Sequence, residues 1–226
     1  WAEEYHIDGF RFDLMGLLDT GLMNRIEKEL ALRYGKGEKM VFGEPWSADE
    51  TPMEKQAVPA LKCHVDQLDP HVGFFCDDTR DAVKGHTFEG EEPGFVNGGE
   101  GLEEEILASV RAWCGPESKV KAPSQVITYV SAHDNWTLWD KLSLTIPDEK
   151  ERMQANRMAA AIYMTCQGNL FFLSGEEFAR TKDGLENSYN APIEINRLDW
   201  KRAYEQYELT AVSYTHLRAH ETLRHV

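Results

Sequence analysis

GFRFDLMGLLDTGLMNRIEKELALRYGKGEKMVFGEPW, residues 9–46, decides the fold. It opens on a short strand-like run, Phe10–Leu14, after Asp8 and Gly9. Leu22, Ile26 and Leu30 then recur at helical spacing, and Gly35 follows where a helix would end. Met40, Val41 and Phe42 make a second apolar run, short enough for a buried strand. Strand, helix and strand in so short a span are the unit of a parallel sheet. An acidic residue closes each run, Asp13 the first and Glu44 the second.

The same alternation continues outward. Val72–Cys76 is a weaker strand, and Val126–Val130 is strand-like and rich in β-branched residues. Leu102, Ile106, Val110 and Trp113 mark a helix, with Glu103–Glu105 in its first turns where the helix dipole favours acid. Pro147 opens a long helix through Cys166 that Gly168 ends, and Leu170–Leu173 is the last strand. The stretch from Cys76 to Gly101, with GHTFEGEEPGFVNGGEG at 85–101, reads as a long polar loop of the kind that carries function. Five strands alternating with helices predict an α/β fold. A closed (β/α)8 barrel needs eight strands and typically ~250 residues. Neither a GxGxxG pattern nor a P-loop occurs, so a nucleotide-binding sheet has no support.

The chain has 226 residues, which suits one domain, and 42% of them are hydrophobic. No stretch is long and apolar enough to span a bilayer, so no membrane partner is expected. Trp1 opens inside what reads as a helix, with no initiator Met, basic region or apolar leader. The expectation is that the native N-terminus is missing, which leaves both cytoplasmic and secreted locations open. The net charge of −15 argues against nucleic acid, whose phosphates need a basic face. An acidic soluble surface accounts for that charge, and a neutral ligand such as a sugar fits it. Cys63, Cys76, Cys114 and Cys166 form no CxxC pair, and no Cys/His cluster has zinc spacing; they read as free thiols, several of them buried, and no metal site is assigned.

Three acids stand at the C-terminal ends of three predicted strands: Asp13 in GFRFDLMG, Glu44 in VFGEPW and Asp134 in YVSAHDN. In a barrel those strand ends face the active site, so carboxylates distant in sequence converge. Glycoside hydrolysis requires two such groups, one to attack the anomeric carbon and one to protonate the leaving oxygen. One acid alone would read as a cap or an ion-pair partner; three in this arrangement weaken that reading.

These three stretches resemble, in order and spacing, the second, third and fourth signature regions of the α-amylase superfamily. The resemblance implies that Asp13 is the nucleophile, Glu44 the general acid/base and Asp134 the transition-state stabiliser. It implies that Arg11 holds the nucleophile in its ionised form, and that His133 and Asn135 meet the sugar beside Asp134. Within the superfamily, SGEEFARTKDGLENSYNAPIEINRLDW (174–200), FFCDDTRDAVKGHTFEGEEPGFVNGG (74–99) and HDNWTLWDKL (133–142) are similar to type I pullulanases. The implied fold is a partial (β/α)8 barrel, strands four to eight of a catalytic domain. The implied activity is hydrolysis of α-1,6 branch links in pullulan, amylopectin or glycogen by retaining double displacement, with an α-glucan as the partner and no cofactor. Calcium in the parent enzyme is not legible.

Sugar faces are apolar and stack on aromatic rings, which makes Trp46, after Glu44-Pro45, the best stacking platform. For Trp136, Trp139 and Tyr189 core packing is at least as good a reading. Glu176-Glu177 and Asp77-Asp78 read as solvated loop charges, since no EF-hand spacing exists. The superfamily's first signature region and the pullulanase Tyr-Asn-Trp-Gly motif are absent and should precede Trp1. At the other end, the stretch from Val212 to Thr222 resembles a reading frame of a sequencing-library adapter, so 1–211 is taken as barrel and 212–226 as a non-native tail. Three alternatives stay open: an isoamylase-like enzyme, an α-1,4-acting hydrolase, and a non-catalytic glucan-binding fragment.

Overall fold

The computed structural model describes residues 1–49 and 53–222. Its core is a sheet of β1 (Gly9–Phe12), β2 (Met40–Gly43), β3 (Val72–Phe75), β4 (Val126–Thr128) and β5 (Asn169–Leu170), in that spatial order. The pairings of β1 with β2, β2 with β3 and β3 with β4 are all parallel. Strands that neighbour one another in chain order, without a reversal, are the order of a (β/α)8 barrel; a doubly wound sheet switches direction from its first strand. The fold class is therefore α/β, part of a (β/α)8 barrel.

The chain divides into two compact units. The first holds Trp1–Cys76, Arg111–Ile127 and Gln167–Asn169. It contains β1, α1 (Thr20–Tyr34), β2, β3 and the first residues of β4. Asp19 caps α1 by accepting from the Leu22 N–H at 2.8 Å. Gly35, at φ 103°, ends the helix with its N–H on Ala31 O. Met15, Met23, Val41, Leu68, Val72 and Val126 are fully buried in the core of this unit. Gly43 is required there: a Cβ would lie 2.7 Å from both the Phe12 carbonyl oxygen and the Met15 Cβ.

The second unit holds Asp77–Val110, Thr128–Cys166 and the chain from Leu170. Its helices are α2 (Asp77–Lys84), α3 (Glu103–Val110), α4 (Leu138–Thr145), α5 (Glu149–Thr165), α6 (Ile193–Asn196), α7 (Trp200–Glu205) and α8 (Tyr207–Thr222). Val83, Val130, Leu138, Leu142, Ala159 and Tyr163 make its main core. Among the described residues no helix is long and apolar enough to cross a membrane.

Several sequence expectations need correction. The run 76–101 is not one loop: Asp77–Lys84 is helical, with Asp77 and Asp78 in its first turn. α3 ends at Val110, because Ala112 and Trp113 adopt positive φ. The long helix starts after Pro147, capped by Asp148 on the Glu151 N–H. The last strand is two residues long instead of four. Glu176 is buried. Of the cysteines, Cys76 is buried and Cys63 exposed. The boundary expected between Ala211 and Val212 is one of sequence origin, not of fold, and falls inside α8; residues 223–226 of the expected tail lie outside the described residues.

Candidate active site

Asp13 and Glu44 each follow directly on a strand end, β1 for Asp13 and β2 for Glu44. Register does the rest. Phe12 pairs with Gly43, so the next residue of each strand emerges side by side. The Glu44 N–H donates to Phe12 O at 3.1 Å. Leu14 then turns into the left-handed region at φ 43°, a strained conformation for a leucine. That turn aims its N–H at Glu44 Oε2, 2.8 Å away.

Arg11 joins the two acids. Its Nη1 donates to Asp13 Oδ1 at 2.8 Å and its Nη2 to Glu44 Oε1 at 2.6 Å. A carboxylate oxygen of Asp13 and one of Glu44 lie within 4.8 Å of each other. The guanidinium itself rests over the Phe75 ring, 5.8 Å from its centroid, and Phe42 meets Phe75 edge-on at 5.6 Å. The flat cation is thus held from below and offers its two Nη groups to the two anions in one fixed plane, a fork that the point charge of a lysine lacks. The two acids differ in environment. The Asp13 side chain is 69% exposed and that of Glu44 6%. Trp46 is half-buried, with its carbonyl accepting from the Gly16 N–H at 3.1 Å.

His133, Asp134 and Asn135 belong to the second unit. His133 Nε2 lies 3.5 Å from Asp134 Oδ2, and both side chains are exposed. Asn135 has φ 60°, so the backbone reverses just after Asp134. Trp139 is buried core and Tyr189 is exposed on the surface. Three charged residues that sequence reasoning passed over surround this loop. Lys182, Lys84 and Asp140 are all buried, and each binds backbone atoms. HDNWTLWDKL and RTKDG, noticed as subgroup marks, were the signals that could have pointed to Asp140 and Lys182.

No family model matches the chain. It is 43% identical to a pullulanase of Bacillus subtilis over 208 residues, 89% of this chain and 28% of that protein. It is 31% identical to pullulanase A of Streptococcus pneumoniae over 85% of this chain and 16% of that one. A crystal structure of the pullulanase of Paenibacillus barengoltzii, in complex with maltohexaose and α-cyclodextrin, superposes at TM-score 0.90. The identity there is 39%, over 98% of this chain and 34% of that one. This segment belongs to the pullulanase family. It spans less than a third of the length of the Bacillus relative.

Proposed function

We propose that this pullulanase segment carries the nucleophile and the acid/base of an enzyme that hydrolyses α-1,6 branch links in pullulan, amylopectin or glycogen. The observation that supports it most is Arg11 bridging Asp13 and Glu44 at adjacent parallel strand ends. Their nearest carboxylate oxygens, within 4.8 Å, suit a retaining enzyme. Retaining enzymes hold the two carboxyl groups ~5–5.5 Å apart, and inverting ones leave ~6.5–9.5 Å for a water.

In this reading exposed Asp13 attacks the anomeric carbon, and Glu44 protonates the leaving oxygen and then activates water. Each step moves one proton through Glu44, and the glycosyl–Asp13 ester links the two. Asp134 stabilises the oxocarbenium-like transition state, His133 and Asn135 hold sugar hydroxyls, and Trp46 offers a ring to a sugar face. The maltohexaose bound by the Paenibacillus relative is a ligand of the matching class. The test is product analysis on pullulan with the longest natural chain that carries this segment. Maltotriose is expected. Panose would mean α-1,4 cleavage, and no product beside intact glucan binding would mean a non-catalytic module. Either result refutes the proposal.

A further inference from the structure

The ammonium groups of Lys84 and Lys182 are buried and record no carboxylate partner within ion-pair distance among the described residues; they are spent on backbone carbonyls. Lys182 Nζ donates to Asn135 O at 2.5 Å, Glu186 O at 2.9 Å and His133 O at 3.4 Å. Lys84 Nζ, from α2, donates to Trp136 O at 3.0 Å. Carbonyls 133, 135 and 136 are therefore gripped from two separate elements. The left-handed Asn135 makes this feasible, because the reversal swings consecutive carbonyls toward the cations. Asp140 sets Lys182 in place: its carboxylate accepts from the Thr181 hydroxyl at 2.5 Å, the Lys182 N–H at 2.7 Å and the Gly184 N–H at 3.3 Å. Trp136 closes the ring by donating its Nε1–H to Gly184 O at 3.2 Å.

An ammonium donates up to three hydrogen bonds, and Lys182 uses all three on carbonyls. Burying a lysine is costly unless its donors are met. Burial does push the Lys182 ammonium down from its ordinary range, and pushes that of Lys84 down to about 7, with the Arg80 cation adding to it. A simple space-filling role would be served more cheaply by leucine or methionine. The arrangement makes sense if what matters is the position of the exposed side chains in the gripped segment, Asp134 with His133 beside it.

We propose that Lys182 and Lys84 are positioning residues: through the carbonyls of 133, 135 and 136 they fix the backbone on which Asp134 is presented, with Asp140 as the anchor of Lys182. This inference rests on the catalytic reading given above for Asp134. The reaction class that needs it is the glycosyl transfer itself, where a misplacement of ~1 Å costs about a hundredfold.

The experiment uses the longest natural chain carrying this segment and compares Lys182→Met with Lys141→Met. Lys141 is the control because it is equally buried and grips the carbonyls of His86, Glu89 and Gly90, and it meets the 131–138 segment through the Trp136 ring, 5.9 Å from its centroid, instead of through a carbonyl. Amide hydrogen exchange across 131–138 should speed up about tenfold in Lys182→Met and stay near wild type in Lys141→Met. On pullulan, Lys182→Met should lower kcat about thirtyfold with KM within about threefold. In an Asp134→Asn background the same substitution should cost less than about threefold, because the residue it positions is already lost. Unchanged exchange in 131–138, or an equal loss in both backgrounds, overturns the proposal. If Lys182→Met does not fold, Asp140→Asn should give the same exchange change and non-additivity in weaker form. An Asp134→Asn enzyme of normal rate would sink the catalytic reading instead, and exchange alone then decides whether the grip exists.

Discussion

Arg11 has to satisfy two carboxylates with one guanidinium, and the geometry depends on its being flat. Arg11→Lys should lower kcat on pullulan by about tenfold to a hundredfold, because an ammonium lacks the rigid planar fork that sets the 2.8 and 2.6 Å contacts from two separate nitrogens. A kcat within threefold of wild type would refute the bridging role. Asp13→Ala and Glu44→Gln should each cost at least a hundredfold, about 3 kcal/mol of transition-state stabilisation. Steady-state rates of either variant near wild type would remove that residue from the mechanism. Gly43→Ala tests how the site is seated. Its new Cβ would press on backbone and on Met15 at 2.7 Å, neither of which can swing away, so a loss of about 1–3 kcal/mol is expected in the melting curve. At this scale Asp13 and Glu44 were legible because each directly follows a short apolar run that forms a strand, whereas Asp134, also expected at a strand end, lies well past the end of β4 at Thr128. The lysines were not, because a lone Lys in sequence reads as solvated charge, and only packing reveals that Lys84 and Lys182 are inside.

The elements divide along the same line. β1, α1 and β2 were legible, since short apolar runs mark the strands and Leu22, Ile26 and Leu30 mark the helix, although Thr20 and Glu27 are buried on α1 beside Met23. α2 was not, because Arg80 and Lys84 complete its buried face together with Thr79, Ala82 and Val83, and a pattern that counts charges as surface sees a loop. The charge inside has a consequence that belongs to several elements at once. Glu176 faces Tyr163 of α5 and Ser131 after β4, both of which hydrogen-bond its carboxyl, with Lys84 of α2 and Glu177 nearby. Burial pushes the Glu176 carboxyl up to about 7, despite those hydrogen bonds. The ordinary value is near 4.5. Between those two pH values the folded state holds more protons than the unfolded one, so this group's contribution falls as pH rises and is fully lost above pH 7. Burial pushes Lys84 the other way, down to about 7, so its penalty is relieved as pH rises above that point. The pair together predicts a shallow minimum of stability near neutrality. Glu176→Gln should flatten the acid side of that profile by roughly 1–3 kcal/mol between pH 5 and 7. Parallel melting curves for wild type and variant across that range would show the carboxyl to be uninvolved.

For the whole molecule, the decisive feature is an open sheet in a fold that is normally closed. β1 has β2 as its one sheet neighbour among the described residues, and β5 has β4. A (β/α)8 barrel leaves no such edges, because its first and eighth strands pair. Beside β1 lies an open apolar cleft of about 680 Å³, lined by Trp1, Phe10, Phe12, Ile26, Leu30 and Tyr34 among others. Trp1 is 76% exposed at its mouth. Unpaired strand edges template association, and apolar surface of this kind is rarely left bare by a monomer. The net stability of a domain is only ~5–15 kcal/mol, so the missing pairings and the bare surface weigh heavily against it. The 226-residue chain expressed by itself should therefore associate or fail to melt cooperatively, and should release no maltotriose from pullulan. The measurement is sedimentation and a thermal melt on the isolated chain, with a reducing-sugar assay beside them. Supplying in trans the strand–helix segments that precede the matching region in a full-length pullulanase should restore a cooperative melt, because they offer β1 its second neighbour. A monomeric isolated chain that melts sharply and cleaves pullulan would show that the five strands are self-sufficient, and the argument from open edges would fall.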